Sequence, residues 1–157
     1  MKVELWAIGK TSDRYLEEGI QLYQSRLRHY LKFEFHALPG LKKAGRYQPE
    51  QIKILEGERI LKALSPGDHL VLLDERGKQL TSLQLAEYMN HKLQLSHKRL
   101  LFLVGGAYGF SQDLYQRAQG KIALSKMTFS HQMARLFMVE QLYRAMTILN
   151  NEPYHNE

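Results

Sequence analysis

Three stretches of the chain carry residue types that could hold or transform a ligand. In "RLLFLVGGAYGF", residues 99–110, an unbroken apolar run ends in Gly105, Gly106 and Gly109. Glycine admits close backbone approach where a Cβ would collide, so this turn is a candidate wall of a binding site. In "HQMARLFMVEQLYRAMTIL", residues 131–149, Arg135, Glu140 and Arg144 interrupt a largely apolar segment. Glu140 and Arg144 stand four apart, the order that favours an ion pair on a helix. The guanidinium of Arg144 could instead serve a phosphate or a substrate carbonyl, because it donates in a planar fork. Arg135 could face either way. The terminal "NNEPYHNE" adds Pro153, Tyr154 and His155, which offer a stiff turn, a stacking ring and a titratable group.

Familiar site motifs do not account for these residues. A dinucleotide-binding G-x-G-x-x-G aligned on Gly106 and Gly109 puts Val104 where the first glycine belongs. A phosphate-cradling loop would need a second glycine where Phe110 or Ser111 stands. No G-x-S-x-G nucleophile turn is present. The chain has no cysteine, which excludes disulfides, thiolate nucleophiles and cysteine-ligated metals. His29, His36, His69, His91 and His97 are scattered without the spacing of a zinc helix, and no metal is expected.

Periodicity indicates the elements that must position these groups. Apolar or alternating runs at residues 3–9, 32–38, 69–77, 100–104 and 121–129 read as strands. Helical spacing covers residues 13–31, 50–64, 83–95, 111–118 and 131–149, with Ser130 as the last helix's amino-terminal cap. The alternation implies an α/β fold, a mainly parallel sheet with helices on both faces, in a single domain over residues 1–157. Ligands on such sheets sit beyond the carboxyl ends of the strands. Residues 131–149 are apolar nearly all round, and a second subunit is the expected cover.

Charge bears on the partner. The formal net charge is +6, and Arg26, Arg28, Lys32, Lys42, Lys43 and Arg46 face one acid, Glu34, between residues 26 and 46. Such clustering suits a polyanion such as RNA, although a solvated basic face would have the same composition. Residues 100–111 are free of charge but too short to span a bilayer, and the start lacks a secretory apolar core. The expectation is a cytoplasmic protein with no membrane partner.

The segments "LFLVGGAYGF", "ALSKMTFSHQMARLFMVEQLYRA" and "EPYH" together resemble the SPOUT-class family of ribosomal RNA large subunit methyltransferase H. The likeness runs from "VELWAIGK" to the terminus. One departure is Ser130, where the family commonly has proline; a cap and a first-turn proline do similar work. The resemblance implies a carboxy-terminal trefoil knot, S-adenosylmethionine as cofactor, and methylation of N3 of a pseudouridine in 23S rRNA, on the assembled ribosome. It implies that Leu73, Gly105 and the segment Leu124, Ser125, Lys126, Met127, Thr128 and Phe129 form three walls of the cofactor pocket. It further implies a homodimer whose site uses both subunits. Residue chemistry and the matching tail assign Arg144 to charge stabilisation, and Tyr154 and His155 to holding the base or handling its proton. Two rivals share parts of the pattern: a non-catalytic ribosome- or RNA-binding protein, and a nucleotide-dependent oxidoreductase.

Overall fold

A computed structural model describes residues 1–156. Along the chain run β1 (Lys2–Ile8), α1 (Arg14–Leu27), β2 (Phe33–Leu38), α2 (Pro49–Ala63), β3 (Asp68–Gln79), α3 (Ser82–Leu93), β4 (Arg99–Val104), α4 (Gln112–Arg117), β5 (Gly120–Ala123) and α5 (His131–Leu149). The strands form one sheet in the order β2-β1-β4-β3-β5, and every neighbouring pair is parallel.

Strand alternation divides the core between two faces. Val3, Leu5, Ala7, Leu100, Phe102 and Val104 point to one face, where α5 lies between α1 and α3. Trp6, Leu70, Leu72, Leu101 and Leu103 point to the other, against Ile60 of α2 and Leu114 of α4. Met138, Val139 and Leu142 of α5 are fully buried in the first layer, each contributing about 2 kcal/mol of apolar transfer.

Arg135 settles which way it faces. Its side chain is completely buried and donates to the carbonyls of Ile8 (2.8 Å) and Gly9 (2.8 Å) and to the Thr11 hydroxyl (3.1 Å). It therefore ties the start of α5 to the carboxyl end of β1. Ser130 caps the helix as expected, accepting from the Met133 amide at 3.1 Å.

Two elements, α1 and β5, end four or more residues earlier than periodicity indicated. α1 stops at Leu27, where the amides of His29 and Tyr30 turn to the i−3 carbonyls of Arg26 and Leu27, and Arg28 Nε donates to the Phe33 carbonyl at 3.2 Å. β5 stops at Ala123; Ser125 then accepts from the Met127 amide at 2.9 Å, a local turn that competes with the ladder. At the same place β3 is irregular, since both Leu73 and Lys78 register with Ile122 and the residues between bulge out. A Cβ on Gly77 would lie 2.6 Å from the Ile122 nitrogen, so the two backbones cross here in contact.

Candidate active site

Parallel pairing builds the first half of the site. Leu73 registers with Val104 on one side and with Ile122 on the other. The chain beyond those three positions therefore emerges at one edge, at the carboxyl ends of β3, β4 and β5. There it encloses a cleft of about 530 Å³, within the range of small-molecule sites. Leu73, Gly105, Leu124, Ser125, Lys126, Met127, Thr128 and Phe129 all line it.

The three glycines have different duties. Gly109 has φ of +86°, closing a turn in which its amide donates to the Gly106 carbonyl at 3.2 Å. A Cβ on Gly106 would come 2.8 Å from Glu56 Oε1, and one on Gly105 would come 3.1 Å from the Phe110 ring. Close packing explains Gly105 and Gly106 alongside their place in the cleft.

Other lining residues escaped the sequence reading. Asp74 accepts from the Arg76 amide at 2.8 Å and from the Tyr115 hydroxyl. Burial first, and then the Asp74 carboxylate, push the Tyr115 phenol up to about 12, so it remains a neutral donor. His131, at the first turn of α5, also faces the cleft. Burial, followed by the Arg135 charge, lowers its pKa, which favours a neutral ring. Asp74 could have been suspected as the residue after Leu73, but nothing in the sequence links it to Tyr115, forty-one positions on.

Arg144, Tyr154 and His155 assemble elsewhere. The Arg144 guanidinium holds Glu140 Oε1 through Nη2 (2.5 Å) and Nε (3.1 Å), lies 4.7 Å from the Tyr154 ring centroid, and donates to His155 Nδ1 at 3.2 Å. The Tyr154 hydroxyl donates to Glu140 Oε1 at 2.9 Å. Burial and its partners push the Tyr154 phenol well above the usual range, while the Glu140 contact raises Arg144 further. Because an arginine can only donate, Nδ1 of His155 accepts in this contact. The tail is anchored, since Tyr30 donates to Glu152 at 2.6 Å and the Tyr143 and Tyr154 rings pack edge-to-face at 4.8 Å.

The cleft and this cluster occupy different ends of α5. Ala134 lines the cleft, whereas Arg144, Tyr154 and His155 do not. Ten helical residues from Ala134 to Arg144 span about 15 Å. The chain thus carries the cleft and the cluster as two separate groups of residues.

A parallel sheet with a ligand cleft built from the chain beyond its last strands is an arrangement of the SPOUT methyltransferases. The chain belongs to this family: a family model described as "Predicted SPOUT methyltransferase" matches residues 1–155. Its relatives point to one branch. Proteins named "Ribosomal RNA large subunit methyltransferase H" from Parabacteroides distasonis and Phocaeicola vulgatus are 56% and 51% identical to it, each over the whole of both chains. The protein of that name from Christiangramia forsetii is 53% identical over 99% of each chain. A solved structure, a probable methyltransferase from Bordetella pertussis Tohama I, shares the fold with a TM-score of 0.55. That comparison covers 92% of this chain and 94% of the other at 13% identity. The protein is therefore an enzyme that transfers methyl groups, which displaces the purely binding and the oxidoreductase readings. No helix among the described residues is long and apolar enough to cross a membrane.

Proposed function

We propose that this protein methylates N3 of a pseudouridine in 23S rRNA, acting in the cytoplasm on the assembled ribosome as a homodimer. S-adenosylmethionine is the donor, and the whole chain forms one domain with the knotted carboxy-terminal part of its family. The names of the relatives support the substrate. The close crossing of Gly77 and Ile122 is compatible with a tightly threaded carboxy-terminal part. The observation that carries the reading is the convergence of Leu73, Gly105 and residues 124–129 on one cleft.

The cleft suits S-adenosylmethionine in size and in chemistry. It offers the rings of Phe110 and Phe129 beside adenine-sized space, and both carboxylates (Asp74, Glu75) and cations (Lys53, Arg76, Lys126) for a ligand bearing an amine and a carboxylate. When bound, the cofactor supplies an electrophilic methyl group on a sulfonium. Leu73, Gly105 and residues 124–129 hold and orient it, and they exclude water from it.

The acceptor half is the Arg144–Tyr154–His155 cluster of the partner chain. Pseudouridine N3 lies between two carbonyls and becomes nucleophilic as its proton leaves. Arg144 stabilises the negative charge that then spreads onto a carbonyl oxygen. Tyr154, a neutral phenol engaged by Glu140, and His155, held by Arg144, hold the base and handle the proton that leaves N3. Two copies are required because a single α5 keeps the half-sites about 15 Å apart. Exposed apolar side chains on α1 (Tyr15 64%, Leu22 48% accessible) and α5 (Phe137 36%) offer surface for pairing.

The test uses ribosomes from a strain lacking the protein, incubated with it and methyl-labelled S-adenosylmethionine. Label on one pseudouridine N3 of 23S rRNA is expected. Label elsewhere, or none, would overturn the assignment.

A further inference from the structure

The basic run that looks continuous in sequence is split by the fold. Arg26 in the last turn of α1, and Arg28 and Lys32 just after it, lie at the amino ends of the strands. Lys42, Lys43 and Arg46 follow β2, at the carboxyl ends. All six are exposed, and none is in an ion pair among the described residues. Unpaired, solvated cations are the groups that gain most from meeting phosphates.

Each group adjoins a different half-site. Arg26 lies over the rings of Tyr23 (5.4 Å) and Tyr143 (5.8 Å), and Tyr143 packs on Tyr154. Arg28 and Lys32 line a recess of about 700 Å³ together with Tyr30, whose hydroxyl holds Glu152 of the tail. This group belongs with the acceptor cluster. The second group precedes α2, whose Glu50 and Lys53 line the cofactor cleft. Gly40 lies against Gly9, which keeps the start of that loop at the carboxyl edge of the sheet.

We infer that the RNA backbone at each active site is gripped by two phosphate-binding patches from different chains. Arg28 and Lys32 come from the chain that supplies Arg144, and Lys42, Lys43 and Arg46 from the chain that supplies the cleft. The inference rests on the two-chain site proposed above. The cluster of one copy can reach the cleft of the other only if the amino-end surface of the first meets the carboxyl-end surface of the second. The two halves of the basic run then flank one RNA segment. Within a single chain they face opposite ends of the sheet.

Heterodimers with differently tagged chains separate the possibilities. Arg144→Ala silences the acceptor half and Thr128→Trp fills the cleft, so each homodimer should be inactive. Their heterodimer should retain one working site; no activity in it would refute the two-chain reading itself. Arg28→Gln/Lys32→Gln and Lys42→Gln/Lys43→Gln/Arg46→Gln are then added in two arrangements. In the first, Arg28→Gln/Lys32→Gln joins the Arg144→Ala chain and the triple change joins the Thr128→Trp chain; the working site keeps both patches. In the second the additions are exchanged, and the working site loses both. Both heterodimers have identical overall composition, so folding and bulk charge are matched. The first should match the parent heterodimer. The second should show a KM for ribosomes raised about ten-fold or more, with a shallower salt dependence. Equal KM values in an active pair of heterodimers would overturn the inference.

Discussion

The Tyr154 hydroxyl donates to Glu140 Oε1 at 2.9 Å, on the same oxygen that Arg144 Nη2 holds at 2.5 Å. One carboxylate oxygen thus fixes both the cation and the aromatic ring of the cluster proposed to hold the acceptor. Glu140→Gln keeps the shape but weakens both attachments. Turnover should fall about a hundred-fold, the scale of a small misplacement of reacting groups, with S-adenosylmethionine affinity unchanged. Steady-state kinetics with calorimetry checks this; an unaltered kcat would remove Glu140 from the positioning of Arg144.

Gly77 has no room for a side chain, since its Cβ would lie 2.6 Å from backbone nitrogen of Ile122. Gly77→Ala should destabilise the fold by about 3 kcal/mol or more, by forcing β3 away from β5. Gly45→Ala, where nothing lies within 4 Å, should be close to neutral. Denaturant melts of the two variants make the comparison.

Arg135 is buried without a carboxylate partner among the described residues, and burial lowers its pKa. Arg135→Leu leaves the carbonyls of Ile8 and Gly9 without their donor. A loss of about 3 kcal/mol is expected by denaturant unfolding. Stability within 1 kcal/mol of the parent would show that the carbonyls find other donors.

His69 is 6% exposed, and its ring lies 4.6 Å from that of His97. Burial, and then the charges of Lys92, His97 and Arg117, lower its pKa from 6.5 to about 4. The unfolded chain therefore binds the additional proton between those values, and stability must fall as pH drops from about 6.5 to 4. The loss reaches about 3 kcal/mol at the acid end. His69→Phe should flatten this part of a pH–stability curve; an unchanged slope would assign the acid lability to other groups.

The sequence was most informative where one helix decides the pattern. Residues 131–149, the Ser130 cap and the Glu140–Arg144 pair could all be read from spacing, because each depends on neighbours within four positions. The early end of β5 was illegible, since "LSKMTF" has strand character while the Ser125 turn removes it from the ladder. Strand order and the two-sided role of Leu73 depend on pairings between distant segments, which periodicity does not encode. The expected cofactor walls came from resemblance to a family, and the structure adds Asp74, Tyr115 and His131 to the lining of the cleft those residues share. The separation of cleft and cluster was equally hidden, because it depends on only the first turns of α5 meeting the cleft.

The length of α5 has a consequence for dosage. If catalysis needs the far end of one such rod beside the near end of another, a solitary chain is inert however well it folds. Below the dissociation constant of the pair, total activity should then fall with the square of protein concentration, whereas an enzyme complete in one chain would decline in simple proportion.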